Sequence, residues 1–423
     1  MGIAVTKSLG LFVFFCTLLM PFTPDAMAVP LHDERSARHI DSLFELIEAR
    51  LQLMNDVAVY KYQRKLGIED VAREQVVLDE AAIKALAFGL TPTSSRFFFA
   101  MQIEAAKEIQ RYWFDEWASG TPLPTSSVSL KDALRPRIET LGDAILTAIA
   151  ETYPITDKSL ATQFVRSINV EGLSDATKFA LFRALFEVEK FTNELDQIVA
   201  TGILRVATTG DYAPFSETAD GVTKGIDITL ANDLAAALGV KVQLVETSWP
   251  TLLDDLQAGA FDIAMSGISR TLDRQQQGFF SQAYHVGGKT PIVRCEQTAQ
   301  FNSLKQIDQK NVRIIVNPGG TNERFTTNNI TNAQVTVFTG NRGIFDEIAE
   351  GRADVMITDA IEVRLQVSLD NRLCASMPGK TLTYQEKAYL LPRDIVWKEF
   401  VDTWLSLRLN DGTIAKILAE QLN

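Results

Sequence analysis

Leu204-Arg205-Val206-Ala207-Thr208-Thr209-Gly210-Asp211-Tyr212-Ala213-Pro214-Phe215-Ser216 is an apolar run of strand length that breaks at a Gly and a Pro, and Gly225-Ile226-Asp227-Ile228 after it opens a helical segment. Short apolar runs recur at Lys241 to Val245, Phe261 to Met265, Val312 to Val316 and Ala353 to Ile357, separated by helical stretches. Strands interleaved with helices predict an α/β unit built on parallel sheet. Upstream the pattern changes. From about Asp33 to Ala200 apolar residues recur at three- and four-residue spacing, punctuated at Gly67, Gly89, Ser119 to Ser129, Pro154 and Gly172, which predicts an all-α half. The change of pattern places a linker near 195 to 203.

At 423 residues, 46% hydrophobic and 22% charged, the chain is expected to form two or three globular units. A net charge of -12, with no block of Lys and Arg, excludes a nucleic-acid surface and points to a small ligand. Residues 1–28 combine Lys7, the apolar run Leu9 to Met20 and the ending Ala26-Met27-Ala28, the pattern of an export leader. That run falls short of the roughly 20 residues a bilayer needs and is followed by Pro21 and Pro24. The mature chain is therefore expected to begin at Val29, outside the cytoplasm, with no membrane anchor. Its remaining cysteines, Cys295 and Cys374, are an even pair in an oxidising compartment and are expected to be bridged. His32, His39 and His285 are too scattered to suggest zinc, and no metal site is expected.

In the helical half, Leu43, Ile47, Arg50, Met54, Val57 or Ala58, and Lys61 share one face of the first helix. Arg50 and Lys61 are eleven residues apart, almost three whole turns, so both cations project from the same side. No Asp or Glu occupies the stripe between them, and burying two cations without partners is costly. An anion must come from elsewhere. Gly67 suits the end of this helix and Asp70 the cap of the next, with Arg73 and Glu74 in its first turn. A plain surface role for any one of these cations is the competing reading.

Arg50, Lys61, Asp70, Arg73 with Glu74, and Gln110 late in the third long helix resemble the secreted class of all-helical chorismate mutases, over roughly Asp33 to Pro154 and more loosely to about Thr192. The resemblance implies that Arg135, or the nearby Arg137, completes the pocket from the same chain. Ala106 departs from the family, whose members carry a substrate-binding hydroxyl there. Chorismate is a dianion whose rearrangement needs the folded conformer and stabilisation of charge on the breaking ether oxygen. The implied roles follow: Arg50, Asp70, Arg73, Glu74 and Arg135 bind substrate, while Lys61 and Gln110 face the ether oxygen.

The α/β half resembles the type II periplasmic amino-acid-binding proteins, and over about 200 to 420 it is similar to cyclohexadienyl dehydratase. The strings that carry this are Leu204 to Ser216, Phe261 to Thr271 with Arg274, Gly288-Lys289-Thr290-Pro291-Ile292-Val293, Asn317 to Glu323, Thr358-Asp359-Ala360-Ile361-Glu362 and Glu386 to Pro392. The resemblance implies two lobes, one of about 199–292 with 387–423 and one of about 293–386, following a mutase domain of 29–198. It further implies Ser269 and Arg274 as carboxylate ligands, Tyr212 and Trp249 flanking the ligand, and Thr321, Asn322, Asp359 and Lys387 lining the cleft. Glu362 is implied as the acid. Burial and the neighbouring Asp359 would raise its pKa, so that it protonates the departing ring hydroxyl of prephenate as carbon dioxide leaves.

The implied protein is a bifunctional enzyme that needs no cofactor and takes chorismate and prephenate, with arogenate as a further candidate substrate. Its oligomeric state stays open. The competing readings are an amino-acid receptor fused to a helical partner-binding module, and a working mutase beside a ligand-sensing second domain.

Overall fold

The computed structural model describes residues 31–125 and 128–422, with residue 2; the leader read in residues 1–28 lies outside them apart from that residue. The chain divides into two compact units, one drawn from residues 1–72 and 100–186, the other from 73–99 and 187–423. No described helix is long and apolar enough to cross a membrane.

The first unit is all helix. It contains α1 (Leu31–Gln63), most of α3 (Pro92–Ala118), a π-helical turn (Leu130–Leu134), α4 (Arg135–Thr152), α5 (Leu160–Ser167) and α6 (Asp175–Phe186). The stripe read on α1 is its core: Leu43, Ile47, Leu51, Met54 and Ala58 are buried, as are Ile145, Leu146 and Ile149 of α4. Phe44 packs edge-on against Phe164 at 4.9 Å between ring centres.

In the second unit, α2 (Val71–Leu86) is tied down after Gly89, where Phe191 N–H donates to the Gly89 carbonyl at 2.9 Å and Thr91 N–H to the Glu189 carbonyl at 2.8 Å. Residues 195–203 are no linker. They form α7 (Glu194–Thr201), capped by Asn193 and ended by Gly202 at φ 70°. Ile198 of α7 is buried in the core of the following lobe, so the boundary expected at 198/199 cuts through packed structure.

Lobe one is built on β1 (Ile203–Thr208), with a small ribbon β2 (Asp211–Tyr212), β3 (Ser216–Ala219) and β4 (Val222–Lys224) ahead of helix α8 (Ile226–Leu238). Its sheet has the order β5 (Lys241–Glu246), β1, β6 (Ile263–Ala264), β15 (Leu390–Leu391), β7 (Phe279–Phe280). Lobe two has the order β11 (Gln334–Val337), β10 (Arg313–Val316), β12 (Val355–Asp359), β9 (Lys289–Arg294), β13 (Leu373–Ala375). Each sheet has a parallel part, as the strand-helix alternation predicts, and an antiparallel edge: β1 with β5 and β10 with β11 run parallel, while β15 and β9 run antiparallel to their neighbours. Two antiparallel strands, β8 (His285–Gly287) and β14 (Gln385–Lys387), carry the chain between the lobes. The crossing thus precedes the expected boundary at 292, because β9 is paired throughout with β12 and β13. Cys295 and Cys374 form a disulfide within lobe two.

Candidate active sites

The cleft between the lobes holds about 330 Å³, the open space at its mouth included, and is lined by Tyr212, Trp249, Ser269, Arg274, Thr321, Asn322, Asp359 and Lys387 among others. It is closed. Arg324 of lobe two meets Asp273 of lobe one at 3.0 Å, and Asn341 and Arg342 donate to the carbonyls of Asp211 and Gly210.

Strand β12 ends at Asp359, and the next helix (Ala360–Leu369) begins at once, which puts Glu362 in its first turn. Asp359 is buried. Burial alone would raise its pKa, but Lys387 at 2.6 Å, Lys289 at 3.2 Å and the Tyr212 hydroxyl hold it far below the usual carboxylate range. Glu362, only 3% exposed, goes the other way. Desolvation pushes it up to about 8; the adjacent Asp359 adds to the rise, and the Thr358 hydroxyl and the two lysines only partly offset it. At neutral pH Glu362 is therefore a protonated acid.

Lys387 Nζ also donates to Ser269 Oγ at 3.0 Å, and Arg274, buried beside Trp249, donates to the Ser269 carbonyl at 3.1 Å. Gly267 holds φ +61°, and its N–H donates at 2.5 Å to buried Asp227, which desolvation raises to about 7.

In the helical unit, Arg50 is 5% exposed and burial draws its pKa down to about 10. Its guanidinium donates to Gln102 Oε1 at 2.8 Å. Gln102, Ala106 and Gln110 follow one another at four-residue steps on one side of α3. Gln110 Nε2 donates to the Ala106 carbonyl, leaving Gln110 Oε1 and Gln102 Nε2 buried without partners. Lys61 Nζ donates to the Ile68 carbonyl at 2.5 Å. Arg135, half-buried, is the first residue of α4, Arg137 is exposed, and Asp70 is exposed ahead of α2. Arg73 and Glu74, in the first turns of α2, belong to the second unit.

Residues 204–422 match the model of bacterial extracellular solute-binding proteins, family 3, and residues 36–111 match chorismate mutase type II. The chain belongs to both families. Its family 3 half is 50% identical over 223 residues to the cyclohexadienyl dehydratase of Pseudomonas aeruginosa, a match covering 52% of this chain and 83% of the relative. Its type II mutase half is 33% identical over 147 residues to the secreted chorismate mutase of Yersinia pestis, covering 34% of this chain and 78% of the relative. A solved structure of an ancestral amino acid-binding protein, a precursor of cyclohexadienyl dehydratase, superposes with a TM-score of 0.51 at 32% identity, covering 54% of this chain and 99% of the other.

The family 3 cleft is lined by Tyr212, Trp249, Ser269, Arg274, Thr321, Asn322, Asp359 and Lys387, whereas Glu362 is not among its lining residues and bonds Thr358. Lys289, 1% exposed and not singled out in the sequence, bonds three of the lining residues, Thr321, Asn322 and Asp359. The type II half adds Gln102. Among the described residues no group of His, Cys, Asp and Glu could hold a metal ion.

Proposed function

We propose that this chain performs two consecutive reactions, chorismate to prephenate in the type II mutase half and prephenate to phenylpyruvate in the family 3 cleft. The observation that carries it is Glu362, a buried carboxyl kept protonated to about pH 8 three residues from an ionised one.

Prephenate has two carboxylates and no ammonium group. Arg274 and Lys387 line the cleft beside Asp359, and Lys289 holds the other oxygen of Asp359, so three cations meet one ionised carboxylate and two positive charges are left to match that dianion. An amino acid would need a free carboxylate for its ammonium group, and Asp359 already holds two lysines. The same reasoning ranks arogenate, which carries that group, below prephenate. Glu362 gives its proton to the ring hydroxyl; the C–O bond breaks as water leaves, and the electrons of the departing carbon dioxide restore the aromatic ring.

In the mutase half Arg50 and Arg135 take the carboxylates of chorismate, with Asp70 supporting them, while Lys61 and Gln110 face the ether oxygen. Export fits the leader-like residues 1–28, the disulfide and the secreted relative. Purified protein given chorismate at neutral pH should form prephenate first and phenylpyruvate after it. Tight binding of an ordinary amino acid with no phenylpyruvate formed would replace this reading with a receptor.

A further inference from the structure

Three polar side chains, Lys289, Asn322 and Thr358, run in a line to Glu362, with Asn317 branching from Asn322. Lys289 Nζ donates to Asn322 Oδ1; Asn322 Nδ2 donates to Thr358 Oγ1 and to Asn317 Oδ1, each at 3.0 Å; and Thr358 Oγ1 donates to Glu362 Oε2. An ammonium group can only donate, so the Asn322 oxygen must face Lys289 and its NH₂ must face Thr358. With an N–H on its oxygen, the Thr358 hydroxyl keeps one free lone pair and one hydrogen, and the hydrogen is the group it gives to Glu362. All members are buried.

We propose that Thr358 is a positioning residue for the acid, its hydroxyl direction set by Lys289 through Asn322 so that Glu362 carries its proton on Oε1. The carbonyl oxygen of an acid accepts better than its hydroxyl oxygen, so with Thr358 donating to Oε2 the proton is favoured on Oε1, and Oε2 stays the acceptor once the proton has left. The same bond stabilises the carboxylate formed when the proton leaves. The other charges acting on Glu362 are Asp359, Lys387 and Lys289, and a change at Thr358 leaves all three in place.

The inference rests on Glu362 as the dehydratase acid, so Glu362→Gln is measured in parallel. Thr358→Val removes the hydroxyl at nearly constant size. The alkaline limb of kcat/KM for prephenate should move up by about one pH unit, because the carboxylate has lost a donor. The kcat at neutral pH should fall about tenfold, with KM within about twofold of wild type. Thr358→Ser, which retains the hydroxyl, should return the limb to its wild-type position, and Thr358→Ala serves where the valine variant does not fold. A valine or alanine profile that overlays wild type, or a serine variant that behaves like valine, overturns the role of Thr358. A Glu362→Gln enzyme that keeps its rate instead overturns the acid itself.

Discussion

Asp359 and Glu362 are three residues apart, both buried, and their carboxyls titrate in opposite directions. The difference lies in the partners. Asp359 is met by two ammonium groups and a phenol, whereas Glu362 accepts from one hydroxyl. One group is thus fixed as an anion and the other as an acid, the separation that general-acid chemistry beside an anionic substrate requires.

Glu362→Gln keeps the size of the side chain and removes its titrating proton. Given chorismate, this variant should make prephenate at the wild-type rate and accumulate it, with phenylpyruvate formation reduced by about 10³-fold. Product analysis at neutral pH against a protein-free control measures both; phenylpyruvate near the wild-type rate would move the acid to another residue.

The raised Glu362 also sets a pH dependence. In the reaction the acid form is required, so dehydratase kcat/KM should be level below about pH 8 and fall tenfold per unit above it. In stability the sign is the same: the folded-state pKa lies above the unfolded value, so this contribution is fully present below about pH 4.5 and lost as pH rises through about 8. Asp227, raised to about 7, acts in the same sense. Glu362→Gln should therefore melt several degrees above wild type at pH 9. Equal melting temperatures there would show that the carboxylate costs nothing when buried.

Gln102 offers Arg50 an acceptor and keeps a buried donor without a partner. A dianion brought to Arg50 would meet that donor. Gln102→Glu retains the acceptor but replaces the donor with negative charge, so KM for chorismate should rise at least about tenfold, recovering as the pH is lowered and the new carboxyl is protonated. Dehydratase turnover of added prephenate is the internal control. A KM within about twofold of wild type across the pH range removes Gln102 from the mutase site.

The Cys295–Cys374 bridge spans 79 positions of lobe two. Closing a loop of that size contributes roughly 4 kcal/mol, so a Cys295→Ser, Cys374→Ser variant should melt about 10 °C lower in its second unit. Calorimetry of oxidised wild type beside the variant checks it, and a shift below about 2 °C would assign the bridge a role other than stability.

The stripe of α1 and the strand-helix alternation after Gly202 were legible because local periodicity encodes which face is buried. Lys289 was not. It stands in an apolar run where a lone lysine reads as solvated, and only the register of β9 on β12, which sets it opposite Asp359, turns it inward. Gln102 resembles any polar position on an amphipathic helix until Arg50 is placed beside it. Residues 195–203 looked like a linker from the change in composition, although Asn193 and Gly202 frame a capped helix. The packing of 73–99 with the second unit has no local signal, since its partners Glu189 and Phe191 lie about a hundred positions away.

The closed cleft has charge consequences for the end of the catalytic cycle. Its surplus of two positive charges is shared between lobe one, lobe two and the strand β14 that joins them. A dianion satisfies all of them, but the reaction expels one carboxylate as a neutral gas. Glu362, having given up its proton, stands in for the lost anion; once it takes a new proton from water, phenylpyruvate leaves a buried cation uncompensated, and burying an unmatched charge is unfavourable. Return of the proton to Glu362 thus loosens the grip of the lobes on what remains, and product departure is tied to resetting the acid rather than to a separate signal.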